Sequence, residues 1–296
     1  MKKLIILLVL LPLFFVCEKA VVDYPEDKYL VVANPLSNMD VDEGVIETEI
    51  DITDVFKVQG DANAQIVKSI YDVQNSALVS AKLDGNTLTI TVHIGETGSS
   101  QITLRAEWAG KLIYESFIFK VNAITASTAL NRAIQHFQSG EYQQAEDNFL
   151  VLISKNNIQY QADAYMGLGF SQMRNDNAPD GYISMQTSIT LNAANIDARA
   201  GMSLLEYAYA QNYASAIQYG QEVLSANSDF VFRYDSNLDK NDMLVNIALS
   251  QYALQLWSEC LATVNLLDPA YNLDLNDPDY KTKLFQKLEE LVLLYG

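Results

Sequence analysis

The hydrophobic period of this chain changes once, near Asn122, from two residues to the three-to-four of a helix. Period two places alternate side chains on opposite faces of a strand, whereas the helical period gathers them on one stripe. The chain must therefore fold as a β-region followed by a helical region. Its 296 residues suit that division, since a domain takes roughly 150 residues.

Strand patterning occupies about residues 30 to 122. In Val45 to Ile52, the residues Ile46, Thr48, Ile50 and Ile52 share one face and Glu47, Glu49 and Asp51 the other. In Thr87 to Ile94, Leu88, Ile90, Val92 and Ile94 alternate with Thr87, Thr89, Thr91 and His93. Asp84-Gly85-Asn86 separates this strand from Ala77–Leu83 and predicts a hairpin, because glycine accepts a positive φ at no steric cost. Further strands are expected over Ile102–Trp108 and Leu112–Val121. About seven short strands with regular turns is the pattern of an immunoglobulin-like sandwich. The segments Ile50–Phe56, Leu78–Ile90 and Ile102–Ala106 resemble bacterial cadherin-like or immunoglobulin-like surface modules. Some such modules hold calcium on an acidic cluster, but Lys57-Val58-Gln59-Gly60-Asp61 supplies one carboxylate here. Calcium wants six to eight oxygens, so Asp40, Asp42, Glu43 and Asp61 are expected to form a solvated acidic edge, and no metal is expected.

Helical repeats follow from residue 123 to the end. Small residues suited to a close helix crossing recur at Ala145, Gly181, Ala216 and Cys260, spaced 36, 35 and 44 apart. The resemblance is to tetratricopeptide repeats, whose period is about 34 residues. Gly140-Glu141-Tyr142-Gln143-Gln144-Ala145, the pair Leu168-Gly169 and the closing Asp268-Pro269 carry it. The long third step requires an insertion of roughly ten residues, supplied by Asp229–Asp235. Gly220 stands where a large aromatic would normally pack, which implies a thin core in the third repeat. Lys281–Tyr295, with Leu284, Phe285, Leu288, Leu291 and Val292 at helical spacing, is expected to cap the array.

The start of the chain reads as an address. Met1-Lys2-Lys3 and the apolar run Leu4–Val16 have the form of a secretory signal. At about 1.5 Å per residue the run makes a helix of roughly 20 Å, too short for the ~30 Å hydrocarbon core. It stops at Cys17, which resembles a bacterial lipoprotein signal and implies that Cys17 is acylated after residues 1–16 are removed. Residues 17–29 would then be a tether. An ordinary secreted protein and an uncleaved anchor are the alternatives. Acylation of Cys17 leaves Cys260 without a disulfide partner, and Cys260 at a helix crossing is expected to be a buried, inert thiol.

The formal net charge is −18, with seven cations against sixteen carboxylates in residues 21–122 and nine against twenty from residue 123 onward. Acidity spread over both regions repels phosphate backbones, so no nucleic-acid partner is expected. Two histidines and two cysteines leave little for a metal centre or a catalytic relay. His136 is expected to pack between helices and His93 to face solvent. No phosphate-binding loop, nucleophile elbow or zinc-protease motif occurs, and neither enzyme activity nor a cofactor is expected.

The tetratricopeptide resemblance implies that the first helix of each repeat presents its concave face to a partner. The residues concerned are Ile134, Phe137 and Gln138; Met166, Phe170, Met173 and Arg174; Leu205, Ala208 and Tyr209; and Leu249 and Tyr252. Such a groove suits a helix or an extended peptide. The expectation is thus a non-catalytic interaction scaffold, lipid-anchored at Cys17 in the bacterial cell envelope and facing the periplasm or the surface, with a protein or peptide partner. The alternative is a carbohydrate- or cell-wall-binding protein that uses Trp108 and Tyr114 of the β-region.

Overall fold

The computed structural model describes residues 28–295, so the signal segment and Cys17 lie outside the described residues. Nine strands come first: β1 (Tyr29–Val32), β2 (Met39–Asp42), β3 (Glu47–Asp51), β4 (Phe56–Gln59), β5 (Val67–Val73), β6 (Val79–Asp84), β7 (Thr87–Val92), β8 (Gly98–Trp108) and β9 (Lys111–Asn122). They form three small sheets, ordered β1-β4, β2-β9-β8-β5 and β3-β7-β6. Every pairing is antiparallel except β2 with β9. The count exceeds the expected seven because β1, β2 and β4 have four residues each, too few to show alternation.

One core serves these sheets. Ile90 and Val92 of β7, Ile102, Leu104 and Ala106 of β8, and Phe117, Phe119 and Val121 of β9 meet in it with Ile52 and Phe56. The Thr-rich strand ends at Val92, so Ile94 lies beyond it and is exposed. The expected hairpin is present: Asp84 pairs with Thr87, and Gly85 sits at φ +57° between them. His93 is exposed, with Nδ1 2.8 Å from the Ala77 carbonyl.

Nine helices follow among the described residues: α1 (Ala126–Gln138), α2 (Tyr142–Ser154), α3 (Gln161–Arg174), α4 (Ala178–Leu191), α5 (Ile196–Ala208), α6 (Tyr213–Ala226), α7 (Lys240–Ala253), α8 (Trp257–Leu267) and α9 (Tyr280–Tyr295). The first eight form four helix-turn-helix pairs in a tetratricopeptide-like array. Each starts where a polar side chain satisfies a free amide or a turn forces the chain over. Thr125 Oγ1 accepts from the Thr128 amide ahead of α1, and Asp239 and Asp242 form a reciprocal capping box on α7. Within each pair the turn passes through one residue of positive φ: Gly140, Asp176, Gln211 and Gln255. Each lies five residues before a crossing residue Ala145, Gly181, Ala216 or Cys260, and all four crossing residues are buried.

Two expectations for this region are revised. Gly220 does not leave the core thin. A Cβ there would lie 2.8 Å from Cγ1 of Ile247, so the missing side chain is replaced by one from α7. On α9, Leu284, Leu288 and Leu291 face inward, whereas Phe285 and Val292 flank them, more than a third exposed, with Phe285 against Tyr252 and Val292 on the cleft side. Cys260 is fully buried, and burial pushes its thiol up to about 12.

The β-region and the helical array are locked together at the β2–β3 loop. Glu43 is 1% exposed; its Oε2 accepts from the Ile124 amide and meets the Lys155 ammonium of the α2–α3 turn. Its own amide donates to the Asn122 carbonyl at 2.9 Å. Beside it Arg132 of α1 bonds Asp42 at 2.7 Å. The boundary at Asn122 is therefore a joint with buried ionic contacts.

Candidate functional site

The chain itself fills part of the concave face of the array. Between α6 and α7 the insertion folds into a hairpin, β10 (Val231–Phe232) and β11 (Asp235–Asp239), with Phe232 opposite Asp235. Arg233 and Tyr234 therefore form its tip. Its base is tied where Lys240 N donates to the Phe230 carbonyl at 2.9 Å and Lys240 Nζ reaches Asp229 at 2.8 Å.

The hairpin's aromatic side chains pack into the array. The Phe232 ring lies 4.1 Å from Phe170 and 6.0 Å, edge to face, from Phe137. Tyr234 stacks on Phe149 at 6.2 Å. Phe232 and Tyr234 are buried, and Tyr234's hydroxyl is driven above its ordinary range by that burial. Edge-to-face pairs at such separations stabilise beyond the area they bury, by about 0.5–1.5 kcal/mol each.

Between the two aromatics, Arg233 spans two carboxylates. Its Nη1 lies 3.0 Å from Asp163 Oδ2, and its Nε donates to Asp197. Asp163 and Asp197 are 34 residues apart (163 to 197), one repeat period, so successive first helices bring them to the same edge of the array. Both sit in first helical turns, where the helix dipole favours negative charge. Burial raises the Asp197 carboxyl against the opposing pull of Arg233, and the two carboxylates hold Arg233 above its ordinary value against burial. One further pair, Arg174 Nη2 to Asp235 at 3.0 Å, pins the second strand.

An open cleft remains beside the hairpin, with a volume of about 650 Å³. Its walls come from α3 (Phe170, Met173, Arg174), α5 (Leu204, Tyr207), α7 (Val245, Leu249) and α9 (Val292, Tyr295), with Asp235 and Asp242 along the hairpin side. Burial raises the Asp242 carboxyl. The lining mixes aromatic and aliphatic surface with a few fixed polar groups, which suits a peptide segment.

The residues expected to line the groove fall into three groups. Phe137 and Phe170 are brought together, but under the hairpin, and Arg174 reaches the open cleft. Met166 and Leu205 are buried among the helices, and Ile134 is packed against that core. Tyr209 lies against Tyr182 of α4, and Tyr252 against Trp257 and Phe285 at the α7–α8–α9 junction. In the third repeat the cleft is lined by Leu204 and Tyr207, one period after Phe170 and Met173 (170 to 204, 173 to 207). Moving one residue along a helix turns the side chain by about 100°, which carries Leu205 into the core. The 34-residue step from Phe170 was the signal that would have found Leu204. Nothing in the periodicity marks Phe232-Arg233-Tyr234 as an occupant, since two-residue strands carry no repeat.

Elsewhere the candidates disperse. Asp40, Asp42, Glu43 and Asp61 pair with Lys120, Arg132, Lys155 and Lys28 respectively. Among the described residues no group of three His, Cys, Asp or Glu side chains is placed to hold a metal ion. His136 bridges to Glu141 at the α1–α2 turn, 2.6 Å away. Trp108 and Tyr114 lie on opposite faces of their sheet, because Tyr114 pairs with Arg105, three residues from Trp108. Tyr114 instead meets Tyr71, edge to face at 4.8 Å, both exposed. No helix among the described residues is long and apolar enough to cross a membrane.

The sequence matches no protein-family model and no curated protein. Solved structures similar to the chain include YrrB, described as a TPR protein with an unusual peptide-binding site, at 13% identity over 56% of this chain and 86% of that one, TM-score 0.44. A tetratricopeptide repeat protein from Parabacteroides merdae is 13% identical over 57% of this chain and 61% of its own, TM-score 0.41. The first TPR of Spaghetti bound to an HSP90 peptide is 14% identical over 44% of this chain and 93% of that one, TM-score 0.38.

Proposed function

We propose that the protein is a non-catalytic scaffold that holds a partner protein by one of its peptide segments on the concave face of the helical array. The observation that carries this reading is the self-occupied groove beside an open cleft. Phe137, Phe149 and Phe170 already receive one extended segment, and Leu204, Tyr207 and Leu249 continue the same surface without a cover. The β-region, read as an immunoglobulin- or cadherin-like module, spaces the array from its attachment point. Attachment is through acylated Cys17 in the bacterial cell envelope, and an acidic body on a lipid anchor stands off an anionic surface.

The test is a peptide-library selection on the full chain, compared with Leu204→Asp. Enriched peptides that lose at least tenfold in affinity for the variant support the reading. Peptides that bind both alike, or no enrichment at all, count against it. Palmitate labelling in cells tests the anchor separately: label is expected on the wild type and none on Cys17→Ser.

A second reading has one specific observation in its favour. The exposed Tyr71–Tyr114 pair on the outer face of the β5-β8-β9 sheet offers aromatic surface for a sugar ring. Retention on cell-wall polysaccharide that is lost in Tyr114→Ala would favour carbohydrate binding.

A further inference from the structure

We propose that the hairpin tip Phe232-Arg233-Tyr234 is a built-in competitor, and that the partner segment recognised by the groove is an extended stretch with the same aromatic–basic–aromatic order. This rests on the peptide-binding reading and names its ligand class. The groove presents one continuous aromatic pocket, in which the Phe232 and Tyr234 rings lie 5.5 Å apart and Phe137 touches both, with an acidic pair at its edge. Phe137 and Phe170 take the first ring, Phe149 takes the second, and Asp163 and Asp197 take the cation. An acidic segment meets two carboxylates and a protein of net charge −18 and is repelled; a basic one is drawn in.

Lifting the tip uncovers the buried Phe232 and Tyr234 rings and the array residues beneath them, a cost that an incoming segment of like chemistry offsets by covering the same surface. The hairpin is an insertion between helices, so lifting its tip breaks no helical hydrogen bond. Its base stays tied by Phe230 and Lys240. The tip is held by its buried rings and by ion pairs whose guanidinium ends are half exposed, Arg233 at 42% and Arg174 at 48%, while Asp197 beneath Arg233 is 5% exposed. A space of about 740 Å³ opens between the tip and the α1–α2 turn, at Gln138, Ser139 and Tyr142, and gives an incoming chain a place to start. A tethered occupant acts at an effective concentration of roughly millimolar, so a partner segment must outcompete it by affinity or by additional contacts in the cleft beyond.

The experiment uses the full chain in detergent micelles and a fluorescein-labelled, C-terminally amidated synthetic peptide with the sequence of residues 230–234, read by anisotropy. The variant Arg233→Glu puts a carboxylate against Asp163 and Asp197 and expels the tip, while Phe232→Ala/Tyr234→Ala removes its rings. At least one variant, checked for wild-type helicity by circular dichroism, is expected to bind the peptide tenfold or more tighter than the wild type. The same peptide with its arginine replaced by glutamate is expected to lose that gain. In the wild type, millimolar peptide is expected to speed hydrogen exchange of the Val231–Leu238 amides. Folded variants that bind no tighter than the wild type overturn the proposal. Where neither variant folds, unchanged exchange in the wild type overturns it. A partner lost on Leu204→Asp but indifferent to Arg233→Glu and to the peptide overturns this proposal and leaves the scaffold reading standing.

Discussion

Phe232 meets Phe170 with ring centroids 4.1 Å apart and planes inclined by 32°, and through this contact an insertion between the third and fourth helix pairs reaches the second. Phe170 is a residue that the tetratricopeptide resemblance assigns to a partner. In the folded chain its neighbour is the protein's own hairpin, so the groove is defined by what already sits in it. The surface left for others is the adjoining cleft from Arg174 to Tyr295.

Glu43 fixes the joint between the two regions. Its carboxylate is buried against Lys155 and the Ile124 amide, so Glu43→Ala strands a part-buried ammonium and a backbone donor. A loss on the order of 2–3 kcal/mol is expected in urea unfolding. A change below about 0.5 kcal/mol would show that the joint is not structural.

Gly140 turns the first pair at φ +76° with nothing within 4 Å of a built Cβ, so Gly140→Ala meets backbone strain alone. Destabilisation of about 1–2 kcal/mol is expected. Gln211, at φ +53° in the equivalent turn, provides the control. Gln211→Gly relieves that strain against the greater flexibility of unfolded glycine, and the net change should be smaller than about 1 kcal/mol.

Gly220 admits α7. In Gly220→Ala a methyl would press on Ile247 at 2.8 Å, and overpacking of about 1–3 kcal/mol is expected. The paired change Gly220→Ala/Ile247→Val should recover part of the loss. Because valine keeps Cγ1 and removes only Cδ1, the deciding control is Gly220→Ala/Ile247→Ala: no coupling in a double-mutant cycle would mean that the Ile247 contact is not the cause.

The pH dependence of stability follows from two opposed groups of carboxyls. Glu146, Asp147, Asp197 and Asp242 are raised, burial being the first cause in each. A carboxyl raised in the folded state holds its proton more readily than in the unfolded chain, so stability falls as pH climbs from the unfolded value through the folded one. Asp51, Asp61, Asp229, Asp268 and Asp277 are lowered by side-chain hydrogen bonds, and their contribution is lost as pH drops below the ordinary 3.8. The thermal midpoint should therefore rise as the pH is lowered from neutral toward the ordinary carboxylate range and fall again below it. A midpoint that declines steadily from neutrality would contradict this assignment.

Much of the architecture is legible in the residues. The period switch places the boundary at Asn122, and the small residues at Ala145, Gly181, Ala216 and Cys260 mark four helix crossings that the structure shares. The site is less legible. Phe170 and Arg174, taken from the tetratricopeptide resemblance, line the cleft, where the third repeat contributes Leu204, a 34-residue step from Phe170, and Leu205 is buried in the core. The hairpin escapes because its packing is long-range: Phe232 and Tyr234 look like insertion residues until Phe137, Phe149 and Phe170 surround them. Glu43 likewise looks like one more surface carboxylate, since burial depends on Lys155, which lies 112 residues away.

The most direct test of the concave face as the docking surface is photocrosslinking in intact cells, with benzoylphenylalanine placed at Tyr207 in the cleft or at Ile183, an exposed position on α4. A discrete protein adduct from position 207 and none from position 183 is the predicted result. No adduct from 207, or the same adduct from both positions, would contradict it.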